Sequence, residues 1–442
     1  MGNADSKLRN AIENDQIDTL KSILENARKN NNVLELNEKG KDGDYPLLLA
    51  CSINNISMVQ LLIDYANENN FILELNERDK DGNFPLLYAC KTNDIELVES
   101  LIHYATEKKT ILKLNQKDKC GSYPLLCVND CEITKLLIDY ANEINTTLRM
   151  NEKDKSGWYP LYLACCNNNV EKIKLLIEYA NKKNILLEMN GKNKNGNYPL
   201  LKAFSLYEVE MIKLLIDYTN DNDVILELKE KDHFGEYPLL KACKKNDKWV
   251  RLLMNYANKN KITLELNDKN IRGNYPLLLA CLKNNIEIVN LLIYYANKNN
   301  IILKLNEKNI GGNYPLLLAC SKNNTEIVKS LIKYSINNGV ILEINEKNMN
   351  GEYPLLMACY ENRNVIMTML LLEYAKEKNI ILNFNENDVG SISELKDEII
   401  ELFIEYKNTM QFIYNEKRES IKKKNILKNK QLYKIGMNEN KT

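Results

Sequence analysis

The sequence predicts an all-α helical repeat solenoid with β-turns and short extended connections between its helices. The nine prolines of the 442-residue chain stand 39, 39, 36, 39, 39, 38, 39 and 39 residues apart, from Pro46 to Pro354. Each proline opens a short apolar run, and a longer stretch with apolar residues at helical spacing follows it. A fixed period of about 20–50 residues is typical of repeat architectures. We therefore expect stacked repeats with no linker between domains.

The first element of each repeat is a turn followed by a short helix. Every proline lies in the phrase Gly-x-Tyr-Pro-Leu, in which Phe84 once replaces the tyrosine. Glycine permits the positive φ of a tight turn, and proline at the first helical position presets φ without losing a hydrogen bond. The apolar run that follows, as in Pro46 to Cys51, predicts a short buried helix.

The second element is a longer helix that follows a polar break, commonly Asn-Asn as at Asn54 and Asn55. Asparagine tolerates the left-handed conformation that such a break needs. In the stretch from Ile286 to Ala296, apolar residues recur at helical spacing. An extended piece closes the repeat, and its asparagine stands nine positions before the next proline in eight of nine repeats, with Lys229 as the exception.

These elements resemble the ankyrin repeat family. The segment DGNFPLLYACKTNDIELVESLIHYA (81–105) is similar to that family's Gly-x-Thr-Pro-Leu-His-x-Ala-Ala and its Val-x-x-Leu-Leu helix, and the resemblance covers residues 5–406. Tyrosine replaces the family's threonine, and leucine replaces its histidine. Alanine, as at Ala66, replaces the glycine that ends the second helix. We expect that helix to run about a turn and a half further, which would account for a repeat longer than about 33 residues.

The ends of the chain depart from the repeat. We expect an N-terminal capping repeat at 1–40, nine ankyrin-like repeats at 41–390, a C-terminal capping helix at 391–414 that opens with a capping box, and a basic tail at 415–442. The third repeat is three residues short between its helices, from Cys127 to Glu132. We expect the protein to be a monomer.

Composition excludes several functions. Sixty basic residues balance sixty acidic ones, so we expect no nucleic acid partner. His103 and His233 are the only histidines, and no phosphate loop, nucleophile motif or metal-ligand spacing occurs. We therefore expect a protein that is not an enzyme and needs no cofactor. Cys120, Cys127 and Cys131 cluster near the shortened repeat, where buried or incidental thiols are the alternative to a metal or redox site.

The other cysteines indicate the compartment. Seven of the eleven stand five residues after a repeat proline, where equivalent positions lie about 8–10 Å apart, too far for a disulfide. They predict buried thiols in a reducing compartment. No signal peptide pattern opens the chain, and its longest apolar stretch, Val365 to Leu372, is shorter than the ~20 residues of a membrane span. We expect a cytoplasmic protein.

The resemblance to ankyrin repeats implies a concave face that binds protein partners. Three residues after the repeat prolines, both lysine and leucine occur, which indicates incomplete burial. Partial burial by the neighbouring repeat is the alternative. The members of this predicted concave stripe are Leu49, Tyr88, Leu163, Lys202, Lys241, Leu279, Leu318 and Met357, with Cys127 at the same position.

The turn tips carry a second pattern, two residues before each glycine. The first five repeats place lysine there and the last three place apolar residues: Lys41, Lys80, Lys119, Lys155, Lys194, then Ile271, Ile310 and Met349. Beside the glycine stand Trp158, Phe234 and Arg272, which are residue types enriched in binding hot spots. We predict a partner with an acidic segment over the first half and an apolar segment over the second. Lysine as a solvated surface residue is the alternative.

Two alternatives to an adaptor or scaffold remain. Gly2 and Ser6 match the N-myristoylation pattern, but one acyl chain anchors a protein only marginally. Residues 407–442 contain ten basic and three acidic residues, and their lysines could bind anionic lipid, unless the tail is a nuclear-localisation patch, a solvated helix end or a disordered terminus. The lysines concerned are Lys422, Lys423, Lys424, Lys428 and Lys430. The chain would then be a membrane-tethered peripheral protein. The other alternative is a recognition subunit of an enzyme complex.

Overall fold

The computed structural model describes residues 2–206, 208–361, 364–383, 398–409 and 411. Within these ranges the regular secondary structure is helical and contains no strand. The chain forms two compact units, unit 1 (Met1–His233) and unit 2 (Phe234–Thr442). Each unit is an all-α repeat solenoid in which a short first helix and a longer second helix alternate. The predicted fold class is confirmed.

The described part of unit 1 contains six helix pairs. Their bounds are α1 Gly2–Glu13, α2 Ile17–Lys29, α3 Pro46–Ser52, α4 Ile56–Glu68, α5 Pro85–Thr92, α6 Ile95–Glu107, α7 Pro124–Cys127, α8 Cys131–Glu143, α9 Pro160–Cys166, α10 Val170–Lys183, α11 Pro199–Leu206 and α12 Val209–Asp221. Helices α1 and α2 lack the turn motif but bury Leu8, Leu20 and Leu24, so this segment packs in the same way as a repeat.

The described part of unit 2 continues the same alternation. Its helices are α13 Pro238–Lys245, α14 Asp247–Lys259, α15 Pro276–Leu282, α16 Ile286–Lys298, α17 Pro315–Ser321, α18 Thr325–Asn338, α19 Pro354–Leu356, α20 Val365–Lys378 and α21 at 398–409. A π-helical segment, Met357–Glu361, continues α19. Ser391 to Glu394, the predicted capping box, and the tail at 415–442 lie outside the described residues.

Local sequence explains where the helices begin. Each first helix of the motif repeats begins at its proline; in α15, Tyr275 before the proline is extended, with φ −136°. The second helices of the motif repeats follow the predicted polar break, except α12, which follows Leu206, Tyr207 and Glu208 in the sequence. Before α16, Asn284 takes φ +55°, and Asn285 Oδ1 accepts the N–H of Ile288 at 3.0 Å. The first asparagine therefore makes the turn and the second caps the next helix.

The second helices end sooner than the missing glycine predicts. Helix α4 runs only two residues past Ala66, not a turn and a half. The N–H of Phe71 donates back to the Ala66 carbonyl at 3.2 Å, and Asn70 before it takes φ +58°. Asparagine thus supplies the left-handed residue that glycine usually provides. Helix α4 thus continues past Ala66 into the asparagine-rich stretch, as predicted, but the extension is two residues instead of about a turn and a half.

Two sets of tyrosines join neighbouring repeats. The motif tyrosine reaches forward: the Tyr314 hydroxyl donates to the main-chain oxygen of Glu346 at 2.8 Å. The tyrosine of the second helix reaches backward: Tyr334 accepts the N–H of Leu303 at 3.0 Å and donates to the Ile301 oxygen at 3.2 Å. Tyr406 of α21 makes the backward contact to Leu382 and Ile380 at 3.2 and 2.7 Å. These phenols supply hydrogen bonds between repeats in a chain that lacks the threonine and histidine of the family motif.

The repeat cysteines lie in the core. All seven are buried, as predicted: Cys51, Cys90, Cys165, Cys243, Cys281, Cys320 and Cys359. Burial raises the pKa of the Cys281 thiol well above its usual range, so the thiol stays protonated and unreactive. In the described part of the chain, no helix is both long enough and apolar enough to cross a membrane.

Candidate protein-binding surface

In eight of the nine motif repeats, an Asp or Asn stands three residues before the glycine of the turn tip, and Gly40 takes this place in the first repeat. In the fourth repeat, Asp154 Oδ1 accepts the N–H groups of Ser156 and Trp158, each at 2.8 Å. Gly157 then takes φ +82°, and a Cβ there would lie 2.8 Å from the Asn193 Cα. The next repeat therefore packs directly against the glycine. This acidic or amide residue was not predicted, although its recurrence at one offset is visible in the sequence.

Backbone hydrogen bonds tie neighbouring tips together. In unit 1, the Lys155 N–H donates to the Cys120 oxygen at 2.9 Å. In unit 2, the Ile310 N–H donates to the Arg272 oxygen at 3.1 Å. Because the same bond recurs along each unit, the residues two positions before each glycine form a regular tip column.

The tip column of unit 1 is basic. All five of its predicted lysines are exposed: Lys41, Lys80, Lys119, Lys155 and Lys194. Lys80 Nζ lies 3.1 Å from the Asp42 carboxylate, which raises the pKa of Lys80. No ion pair within the described residues involves Lys119, Lys155 or Lys194. Lys41 likewise takes part in no ion pair among the described residues, so a partner can reach the charge of the first lysine tip and of the last three, which are consecutive.

The tip column of unit 2 is apolar. Ile271 and Ile310 are each 63% exposed, and Met349 is 79% exposed. Phe234 at the neighbouring position is 64% exposed, and the Arg272 side chain is also exposed. The structure thus brings these predicted residues to one surface and leaves them accessible.

Trp158 is less accessible than predicted. Its ring is half-buried and packs edge-to-face on Tyr162, with the ring centroids 5.4 Å apart. Tyr162 is itself buried and accepts a hydrogen bond from Asn193 at 3.1 Å. The indole therefore stabilises its own repeat and offers only part of its surface to a partner.

The predicted concave stripe is exposed only in part, and in three repeats it is not exposed at all. Leu279, Leu318 and Met357 are 3%, 5% and 3% exposed, so the prediction was wrong for them. The first helices α15 and α17 pack side by side, so a side chain there is covered by its neighbour. The half-buried positions are Leu49, Tyr88, Cys127, Leu163, Lys202 and Lys241.

The three clustered cysteines do not make a metal site. No group of His, Cys, Asp and Glu among the described residues could hold a metal ion. Cys120 is exposed at a tip, whereas Cys131 Sγ donates to Asn169 Oδ1 at 3.3 Å. Burial raises the pKa of Cys127 to about 11, so this thiol stays protonated near neutral pH. His103 and His233 are exposed.

A match to a family model agrees with this architecture. A family model described as ankyrin repeats in three copies matches residues 8–111, 106–186, 125–227, 220–302 and 297–382. A similar solved structure is the ankyrin repeat domain of Bcl-3, a unique member of the IkappaB protein family, with 18% identity and a TM-score of 0.39 over 56% of this chain and 97% of that chain. No curated protein matches the chain significantly. Since the family model spans most of the sequence, the chain belongs to the ankyrin repeat family.

Proposed function

We propose that the protein is a non-catalytic adaptor or scaffold that binds its partners through the turn tips. Ankyrin repeats are generic protein–protein interaction modules and are typically non-catalytic, which supports the general role of an interaction scaffold. The observation that carries the specific proposal is the change in tip chemistry between the units. Unit 1 displays Lys119, Lys155 and Lys194, and unit 2 displays Ile310 and Met349.

The two columns favour different partner segments. Exposed lysines at regular spacing attract an acidic segment and accelerate its association, but each contributes little affinity. Exposed apolar side chains contribute affinity when a partner covers them and excludes water. The lysines thus select an acidic segment, while Phe234, Ile310 and Met349 are the contacts that would hold an apolar one.

Reversing the charge of the three lysine tips tests this proposal. We expect Lys119→Glu, Lys155→Glu and Lys194→Glu together to lower recovery of specific partners about tenfold in affinity purification from the native cell, because like charges then face the acidic segment. The control reverses Lys135, Lys182 and Lys213, which are exposed on second helices, and changes the net charge equally. Equal recovery with both triple variants would show that the lysine tips bind no partner.

A membrane-tethered role is a second proposal, and the N-terminal pattern at Gly2 and Ser6 is the observation that favours it. Myristoylation requires a free N-terminal glycine, so we expect Gly2→Ala to remove the acyl group and shift the protein from membrane to soluble fractions. Intact-mass measurement of the wild-type N-terminus checks this directly. An unacylated wild-type N-terminus, or equal partition of both proteins, excludes the tether.

A further inference from the structure

A second exposed column lies away from the tips, on the extended segments that follow the second helices. In these segments exposed and buried residues alternate, with a buried leucine next to each exposed aliphatic residue. In unit 1 the exposed positions, here called the aliphatic column, are Val33, Ile72, Ile111, Thr147, Leu186 and Ile225. The five apolar members are 51–62% exposed, so each repeat but one leaves a large aliphatic side chain in water.

The backbone of this column is held firmly. Asn37 Nδ2 donates to the Ile72 oxygen at 2.7 Å, and its Oδ1 accepts the N–H of Glu74 at 2.9 Å. Asn76 makes the same pair of bonds to Ile111 and Lys113, both at 2.9 Å. This asparagine ladder explains why the residue recurs nine positions before the proline. In each of these segments it also occupies a carbonyl and an N–H group that an added β-strand would need, which disfavours strand pairing with a partner here.

The repeat spacing selects the conformation of a partner. Neighbouring helical repeats lie about 8–10 Å apart. A β-strand would advance about three residues over that distance and would turn alternate faces to successive repeats. An α-helix advances seven residues in about 10.5 Å and presents nearly the same face again. Polyproline helices have a similar period, but they dock on aromatic grooves, and the column contains no aromatic residue.

Charges beside the column specify the chemistry of that helix. Two residues after each column position stands an exposed charged side chain, in the order Glu35, Glu74, Lys113, Arg149, Glu188 and Glu227. The row is therefore acidic at both ends and basic in the middle. A complementary helix carries basic residues in its outer heptads and acidic residues in its central heptads, next to an apolar stripe.

We propose that the aliphatic column of unit 1 binds an amphipathic helix whose apolar residues repeat every seven positions and whose flanking charges run basic, acidic, basic. The column residues cover the apolar stripe, and the charged row sets the register. This surface is separate from the turn tips and does not depend on the function proposed for them.

A synthetic helical peptide of about six heptads tests the proposal. The matched peptide carries leucine at one heptad position and flanking charges in the order basic, acidic, basic; a second peptide has every flanking charge reversed. Binding to the full chain is measured by fluorescence anisotropy. We expect the matched peptide to bind about tenfold more tightly than the reversed one. No binding, or equal binding of both peptides, would overturn the proposal.

Substitutions in the column locate the binding site. We expect Ile72→Ser with Ile111→Ser to weaken the matched peptide about tenfold, because two exposed apolar contacts are lost. The control is Ile366→Ser, an exposed isoleucine of α20 in unit 2, which should leave binding unchanged, as should reversal of the three lysine tips. Circular dichroism verifies that each variant keeps its helix content. If the column variants bind normally, or if the wild type self-associates through the column, the assigned occupant is wrong.

Discussion

Replacing Gly273 by alanine is expected to destabilise unit 2 by about 3 kcal/mol. Gly273 takes φ +74°, a left-handed conformation that costs an alanine about 1 kcal/mol or more. A Cβ at this position would also lie 2.8 Å from the Asn309 Cα, and main-chain atoms cannot move aside as a flexible side chain can. The same change strains the hydrogen bond from Ile310 N–H to the Arg272 oxygen. We therefore expect Gly273→Ala both to lower the stability of unit 2 and to distort the turn tip.

Urea unfolding followed by tryptophan fluorescence measures this loss. Trp158 in unit 1 and Trp249 in unit 2 are the only tryptophans, so a Trp158→Phe background leaves a probe of unit 2 alone. Gly339→Ala is the matched control, since Gly339 takes φ +65° but no atom lies within 4 Å of an added Cβ. Gly339→Ala should lower the free energy of unfolding by about 1 kcal/mol. Equal losses for the two variants would mean that the close approach to Asn309 contributes nothing.

The fold was predictable because glycine and proline act locally. Gly273 permits a positive φ and Pro276 fixes its own φ whatever surrounds them, so their period alone predicts the turn and the start of α15. The end of the second helix was not predictable in this way. Asn70 adopts the left-handed conformation that glycine usually supplies, and asparagine is common throughout the chain. The sequence alone does not show which of the neighbouring asparagines takes the left-handed conformation.

The exposure of some binding residues could also be predicted from the local sequence, whereas that of others could not. Ile310 and Met349 follow a polar turn residue and precede the glycine, so their exposure is a local property of the tip. Leu318 and Lys202 occupy one repeat position, yet Leu318 is buried and Lys202 is only half-buried. Their burial depends on how closely adjacent first helices pack, which single positions in a sequence do not encode.

The burial of Lys172 depends on a neighbouring repeat and was not predicted from the sequence. It lies three residues after the N-cap of α10, where other second helices place apolar residues such as Met58 and Ile288. The side chain is fully buried, and its Nζ donates to the main-chain oxygens of Val128 and, at 3.4 Å, Leu125. A buried ammonium group therefore occupies a core position of the fourth repeat.

The deletion in the third repeat explains this lysine. Helix α7 has only four residues, Pro124–Cys127. In a longer helix the N–H of Asn129 would donate to the Leu125 oxygen, but here it donates to Asn93 Oδ1 at 3.0 Å. Lys172 supplies the missing donor from the next repeat. A lysine at an otherwise apolar position, directly after the repeat that lacks three residues, was the signal in the sequence.

The stability that Lys172 contributes is expected to rise with pH. Burial lowers its pKa to about 8, although nearby thiols oppose the shift, whereas an unfolded lysine titrates near 10.4. Between these values the unfolded chain binds more protons than the folded chain, so raising the pH favours folding; the gain is lost as the pH falls through about 8. The free energy of unfolding of the wild type, minus that of Lys172→Met, should increase by about 2 kcal/mol from pH 7 to pH 9.5.

The test uses the difference in free energy of unfolding between wild type and variant. Buried thiols and phenols titrate in both proteins, so their contributions to the pH dependence cancel in this difference. Urea unfolding in a Trp249→Phe background makes Trp158 the probe of unit 1. Lys174→Met is the control: Lys174 is only half-buried, lies 2.8 and 2.9 Å from Glu171 and Glu210, and has a raised pKa, so it keeps its proton in both states over this range. The difference in free energy of unfolding between the wild type and Lys174→Met should not change with pH. If the difference between the wild type and Lys172→Met does not change with pH, then the carbonyls of Leu125 and Val128 keep the ammonium group charged, and burial does not lower its pKa.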